Sequence, residues 1–424
     1  MPLPPELINR VLGYLSDDSE SLRAMSLVSK AWASWCQVYL FKSIHLTPPA
    51  LKGWLENISP EVDGPASHTR ALTLEEYRLI PWINPQGLRF PLSNLASFSG
   101  VKSLSFLYWD ATLLNGMSLE PYFSHFGKSL CVLSLQFCKL DPAVFFDLLS
   151  LLPNVDDLEI TYPLPHPCAQ STVLGPPEIT PNFRGSLSLV DLNTGHLILG
   201  ALATLPLHFS TIRIKGCTFY EQGAYQLMLT KCRDTLVTLR FEESYRDRPL
   251  PDVSLESCNE LQEVHVFLHS FMKIPRSLEI LFPSISSQKL RKISLSSMEF
   301  VEDEEEEDGD IDENGDDEED EDDEEEEDGD TDEDGDGDED EDDEDRSEDE
   351  WSAQRARTIP WGSWDTILSP LAHQAHNAEG KLILQLNVRR ASQKPFEPDH
   401  LLPKFSGHGG LINVNYIQSV TDIP

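Results

Sequence analysis

Two stretches of the chain carry oxygen ligands at the spacing of a calcium loop. DIDENGDDEEDE runs from Asp310 to Glu321, and DTDEDGDGDEDE from Asp330 to Glu341. Both satisfy D-x-[DN]-x-[DN]-G-x5-E, in which alternate carboxylates converge on one cation and the glycine permits the sharp turn. A working loop also needs a helix on each side and an apolar residue at its eighth position. Here more Asp and Glu flank both loops, and Asp317 takes the eighth position of the first. Residues 302–350 hold 39 of the chain's 73 acids and one of its 32 bases, a local net charge of −38. A pattern that asks for carboxylates is met there by composition alone. The tract therefore reads as a disordered, solvated charge insert with diffuse attraction for divalent cations, not as two folded sites.

Other reactive groups are scattered. His373 and His376 lie three apart, and His166 lies two residues from Cys168. A zinc site normally needs four clustered ligands, so these read as surface polar residues. No P-loop, nucleophile elbow, H-E-x-x-H or dinucleotide-binding glycine motif occurs. No catalytic residue, cofactor or metal is expected. The seven cysteines include no CxxC pair and read as reduced, mostly buried thiols of a cytoplasmic or nuclear protein. No targeting peptide or membrane span is expected.

Outside the tract, 375 residues hold 34 acids and 31 bases. This is a nearly neutral chain with one acidic insertion, and elements must be sought on either side of it. Leu7, Ile8, Val11, Leu12 and Leu15 recur at helical spacing after Pro4 and Pro5. Ser16, Asp17 and Asp18 end that helix and offer caps for a second, which carries Leu22, Met25, Leu27 and Val28. A third carries Trp32, Trp35, Tyr39 and Leu40. Three short helices cannot hide so many apolar groups among themselves. Some must face the following domain or another protein.

Leu3-Pro4-Pro5-Glu6-Leu7, then Val11, Leu12 and Leu15, then Leu27-Val28-Ser29-Lys30 and Trp32, resemble an F-box, with Ser29 where that family places cysteine. The resemblance covers residues 2–46. It implies docking on the Skp-type adaptor of a cullin-based ubiquitin ligase. Carried over residue by residue, the docking surface is Leu3, Pro4, Leu7, Ile8 and Leu12. The motif's own core is Leu15, Leu22, Leu27, Val28 and Trp32.

Behind it the chain repeats. LCVLSLQFCKL, Leu130 to Leu140, fits the leucine-rich repeat template L-x-x-L-x-L-x-x-[NC]-x-L at every specified position. Looser copies place a middle apolar residue at Leu72, Leu104, Leu133, Leu158, Val190, Ile212, Leu239, Val264 and Ile293, at spacings of 22 to 32 residues. Each copy reads as a short strand, with helices such as DPAVFFDLLSLLPN between, capped by Asp141. About nine such units predict an α/β solenoid with one curved parallel sheet. Its open face would present Gln136, Glu159, Arg213, Lys215, Arg240 and His265 to a protein client. Their mixed charge argues against nucleic acid.

Pattern returns at Trp351: a helix using Trp361, Trp364, Ile367, Leu368 and Leu371, a strand from Lys381 to Val388, a second helix, a glycine turn and a last strand. The expected organisation is an F-box at 1–46, a solenoid at 47–300, a disordered acidic tract at 301–350 and a solenoid end or cap at 351–424. An N-terminal F-box followed by irregular leucine-rich repeats is similar to the large F-box families of fungi. That resemblance implies a non-catalytic substrate receptor, bound to a Skp-type adaptor and through it a cullin. The tract suggests a different role, binding basic proteins such as histones. A third reading keeps the adaptor and drops ubiquitination.

Overall fold

The computed structural model describes residues 4–47, 50, 53, 64–76, 92–111, 118–164, 181–192, 196–216, 222–243, 250–271, 273–297, 359–377, 381–389 and 402–417. The acidic tract, both calcium-loop patterns, Leu3, His166 and Cys168 lie outside them.

Three helices open the chain: α1 (Pro5–Tyr14), α2 (Ser19–Ser26) and α3 (Lys30–Leu40). Of the expected caps Asp18 serves, accepting from the Ser21 amide at 3.0 Å. Ser29 caps α3, accepting from the Trp32 amide at 3.3 Å. β1 (Ser43–Leu46) follows α3 after two residues. One of them, Lys42, already serves the sheet: its carbonyl accepts from the Arg70 and Ala71 amides at 2.8 and 3.0 Å. The other, Phe41, packs on the solenoid core. The helical unit is thus built directly onto the first strand.

The sheet has twelve strands in sequence order, every pair parallel: β1, β2 (Ala71–Glu75), β3 (Ser103–Leu107), β4 (Val132–Gln136), β5 (Asp157–Thr161), β6 (Ser186–Val190), β7 (Thr211–Lys215), β8 (Thr238–Glu242), β9 (Glu263–Leu268), β10 (Lys292–Ser297), β11 (Ile383–Arg389) and β12 (Leu411–Ile417). This is the expected strand-and-helix solenoid: β2 to β10 are the nine units read from sequence, β11 and β12 the two strands read after the tract, and β1 the one strand not read. Most strands alternate buried and half-buried residues, so one face packs on helices and the other stays open.

The middle apolar level runs through Leu72, Leu104, Leu133, Leu158, Leu187, Ile212, Leu239, Val264 and Ile293. Val190 does not belong to it. Leu187 is the residue aligned with Leu158 and Ile212, and Val190 ends the strand beside Thr161 on the open face. LSLVDL offers apolar residues at two phases, and burial selects Leu187 and Leu189, both fully enclosed.

The helix Pro142–Leu151 forms as read, with Asp141 accepting from the Ala143 amide at 2.7 Å. Cys138 shows what the template's ninth position does. Its buried thiol lies 3.5 Å from the Phe106 carbonyl and 3.3 Å from the Gln136 carbonyl, joining two adjacent turns. Gly127 is required by packing, because a Cβ there would stand 2.5 Å from the Leu151 carbonyl oxygen.

β10 pairs directly with β11, Ile293 beside Leu384. The long connection that includes the acidic tract therefore leaves and rejoins the sheet between neighbouring strands. The helix Trp361–Asn377 docks back on the preceding repeat: the Trp364 indole donates to the Phe271 carbonyl at 3.3 Å, its ring edge-on to Phe271.

Candidate functional site

Two surfaces could recognise other molecules. The first is the N-terminal helical unit. Ile8 and Leu12 are 2% and 0% exposed, and with Leu22 and Cys36 they form its small core. Leu15, Trp32, Trp35 and Tyr39 pack around them, Trp32 and Trp35 edge to face at 5.6 Å. Leu7 and Val11 are half exposed and Tyr14 almost fully so. They stand at i, i+4 and i+7 along α1, an apolar stripe turned away from the unit's own core. Leu27 and Val28 are 86% and 70% exposed.

This corrects the expected division of labour. Ile8 and Leu12 belong to the core, so neither can supply a docking surface without unfolding α1. Leu27 and Val28 are outside the core, because they form the turn before the Ser29 cap. Two adjacent residues in a turn cannot both point inward across so small a unit. Leu22 is buried as expected, and Leu15 and Trp32 are half-buried against it. Pro4 and Leu7 are exposed. Sequence reading missed Tyr14 and the outward face of Val11. The signal was present in α1, which is apolar on two faces when a two-faced helix needs only one.

The second surface is the open face of the sheet. Parallel register aligns Ser134, Glu159, Ser188, Arg213, Arg240, His265, Ser294 and Gln385 in one row. Gln136, Thr161, Val190, Lys215, Glu242, Phe267, Ser296 and Asn387 form the next. The six candidate client-facing residues all lie in these rows, half-buried. Several are held by neighbours. Arg213 donates twice to Glu242, Nε to Oε1 at 2.7 Å and Nη2 to Oε2 at 2.8 Å, which raises the guanidinium pKa. Ser134 Oγ donates to Glu159 Oε2 at 2.8 Å. His265 Nε2 lies 3.1 Å from Glu263, yet burial outweighs that carboxylate and lowers the imidazole pKa.

Towards β11 the face becomes an amide and hydroxyl network. Asn387 Nδ2 donates to Ser294 Oγ and Ser296 Oγ at 3.0 and 2.9 Å, and its Oδ1 accepts from Gln385 at 2.9 Å and Asn415 at 3.2 Å. A cavity of about 40 Å³ opens between Arg240, His265, Phe267 and Asn387. It has room for a water or two, or the tip of one side chain, not for a cofactor.

At the other end, Tyr108, Phe137, Tyr162 and Asp191 close β3 to β6 in left-handed conformation, with φ of 59°, 54°, 46° and 49°. Each keeps its amide in the ladder, donating to the last carbonyl of the next strand at 2.7 to 2.9 Å. The strain of a bulky residue there is met by stacking. Tyr108 lies on Phe137 at 5.1 Å and Phe137 on Tyr162 at 5.0 Å.

Among the described residues no three His, Cys, Asp or Glu side chains gather as metal ligands, and no helix is long and apolar enough to cross a membrane. His373 instead meets His408 edge-on at 5.2 Å. Burial pushes the thiol pKa up to about 12 at Cys138 and Cys232 and to about 11 at Cys258, and raises that of Cys36. These four should resist iodoacetamide at pH 8 in the native chain and react once it is unfolded, read by mass spectrometry. Alkylation of any of them at the rate of an exposed thiol would contradict the packing. A raised thiol pKa stabilises the fold below the unfolded value of 9.0, and this contribution falls away as pH rises from about 9 towards 12.

A search of curated proteins finds no match to the chain. Against family models, residues 2–43 match the F-box domain. The unit with the outward apolar stripe, seated on the first strand of a parallel α/β solenoid, is an F-box domain.

Proposed function

We propose that this chain is the substrate-recognition subunit of a Skp–cullin–F-box ubiquitin ligase. F-box domains typically bind Skp-type adaptors. The observation that carries the reading here is the apolar surface that the domain leaves uncovered, Leu7, Val11, Tyr14, Leu27 and Val28, on a unit whose core is otherwise closed. The solenoid's open face takes the protein client, with the mixed polar rows from Glu159 to Asn387 as its contact. The two-residue connection at Phe41 and Lys42 holds client and adaptor in fixed relation. The chain carries no catalytic step of its own. It raises the effective concentration of client beside a ubiquitin-charged enzyme. The five described cysteines are all free thiols, in keeping with work in the cytoplasm or nucleus.

Affinity purification of the full chain tests this. A stoichiometric Skp-type adaptor, with a cullin, is the expected result. Recovery of adaptor without any cullin would move the chain to a role outside ubiquitination. Failure to bind purified adaptor would remove the reading altogether.

A further inference from the structure

The two ends of the sheet are finished differently. β1 is four residues long and grows directly out of the F-box. β12 is seven residues long, as long as any strand of the sheet, and among the described residues it pairs only with β11. Edge strands that must stay single are blunted by shortness, charge, proline or a bulge. LINVNYI has no charged residue and no proline, and its register with β11 runs unbroken from Leu411 to Ile417.

Its sequence is also symmetric in chemistry about Val414. Asn413 and Asn415 flank the centre, Ile412 and Tyr416 come next, and Leu411 and Ile417 end it. In an antiparallel pair with a two-fold axis through Val414, amide meets amide and the outermost aliphatic residues meet each other, with Ile412 set against Tyr416. Asn413 faces Asn415 of the other copy, and Leu411 faces Ile417. Asn413 and Asn415 are exposed. Asn415 donates one N–H to Asn387 Oδ1 at 3.2 Å, which leaves its oxygen and second N–H for the seam. Leu411 is 46% exposed and would gain an apolar partner. A two-fold contact requires a self-complementary strip of this kind, whereas a foreign strand adding to the edge would need no symmetry.

We propose that two copies of the chain join through antiparallel β12 edges with Val414 on the two-fold axis, making one continuous sheet from both sets of twelve strands. Such a pair would present two F-boxes per particle.

Sedimentation of the full chain at tens of micromolar should give twice 47.8 kDa. Asn413→Lys with Asn415→Lys sets lysine against lysine at two places across the seam and should weaken the dimer at least about tenfold. Asn413→Lys with Asn415→Glu sets lysine against glutamate in the proposed register and should restore it, with circular dichroism unchanged in both variants. A monomeric wild-type chain would overturn the proposal, as would a dimer that survives the double lysine change. Loss of the dimer in the lysine–glutamate variant would overturn the register and the proposal with it. A monomer that captures added extended peptides at β12 would assign the edge to a foreign strand instead. Adaptor binding plays no part in these outcomes.

Discussion

Leu27→Asp combined with Val28→Asp should abolish adaptor binding while leaving the F-box folded. Both side chains stand in the turn before α3, 86% and 70% exposed, and contribute almost nothing to the unit's core. In a complex, fully covering a side chain of this size contributes about 1.5–3 kcal/mol. Two such losses, with two carboxylates forced into an apolar interface, amount to at least about 3 kcal/mol, or a hundredfold in affinity. Calorimetry with purified adaptor reads the loss, and thermal unfolding of the same samples should show no matching drop. Leu12→Asp provides the opposite pattern. Leu12 is wholly enclosed by Ile8, Leu22 and Cys36, so a carboxylate there unfolds the unit before any docking can be measured. Unchanged affinity in the Leu27 and Val28 double variant would remove this turn from the docking surface.

The contrast between Leu12 and Leu27 also marks what could be read from sequence. Helical spacing found α1 to α3, and alternation found the strands, because a single period of 3.6 or 2 survives even in divergent copies. What periodicity lacks is a sign. It sets Leu7, Ile8, Val11, Leu12 and Leu15 on one broad side of α1 but does not say which edge of that stripe looks inward. For β6 it took Val190 over Leu187, three residues apart and both apolar, with nothing local to show the error. The choice was made by the strands on either side, whose register admits only Leu187 beside Leu158 and Ile212. β1 was hidden for another reason. SIHL is too short to show a period, and its place in the sheet is fixed by α3 and by the Lys42 carbonyl. The open-face residues were found as a row because alternation dictates them. Their pairings, such as Arg213 with Glu242, depend on which strands are neighbours, and no local pattern carries that.

Asp365→Ala should unfasten the far end of the solenoid and leave its middle intact. Asp365 is buried on the helix Trp361–Asn377, and its two oxygens accept from the Lys404 and Phe405 amides at 3.0 and 2.8 Å. These amides open the short helix Pro403–Gly407, whose own cap position holds Leu402, a side chain that cannot accept. Asp365 is therefore a cap supplied from another helix. Without it the buried Phe405 N–H loses its partner, at about 1–3 kcal/mol, and the half-buried Lys404 N–H loses one at a smaller cost. Asp365→Asn keeps one acceptor and should lose about half as much. A repeat array transmits such a loss only to its neighbours, so the cost falls on residues 402–417 and β12 rather than on the whole chain. Hydrogen exchange should accelerate through β12 and remain slow in β4 to β8. Uniform acceleration would mean that the solenoid unfolds as one unit. The same variant separates two ways of losing a dimer. Asp365→Ala should remove β12 protection and self-association together, whereas the double lysine change at Asn413 and Asn415 should remove self-association while the amides that pair β12 with β11 stay protected. A seam made by β12 requires both results, because the strand must first be held in the sheet before its free edge can meet another.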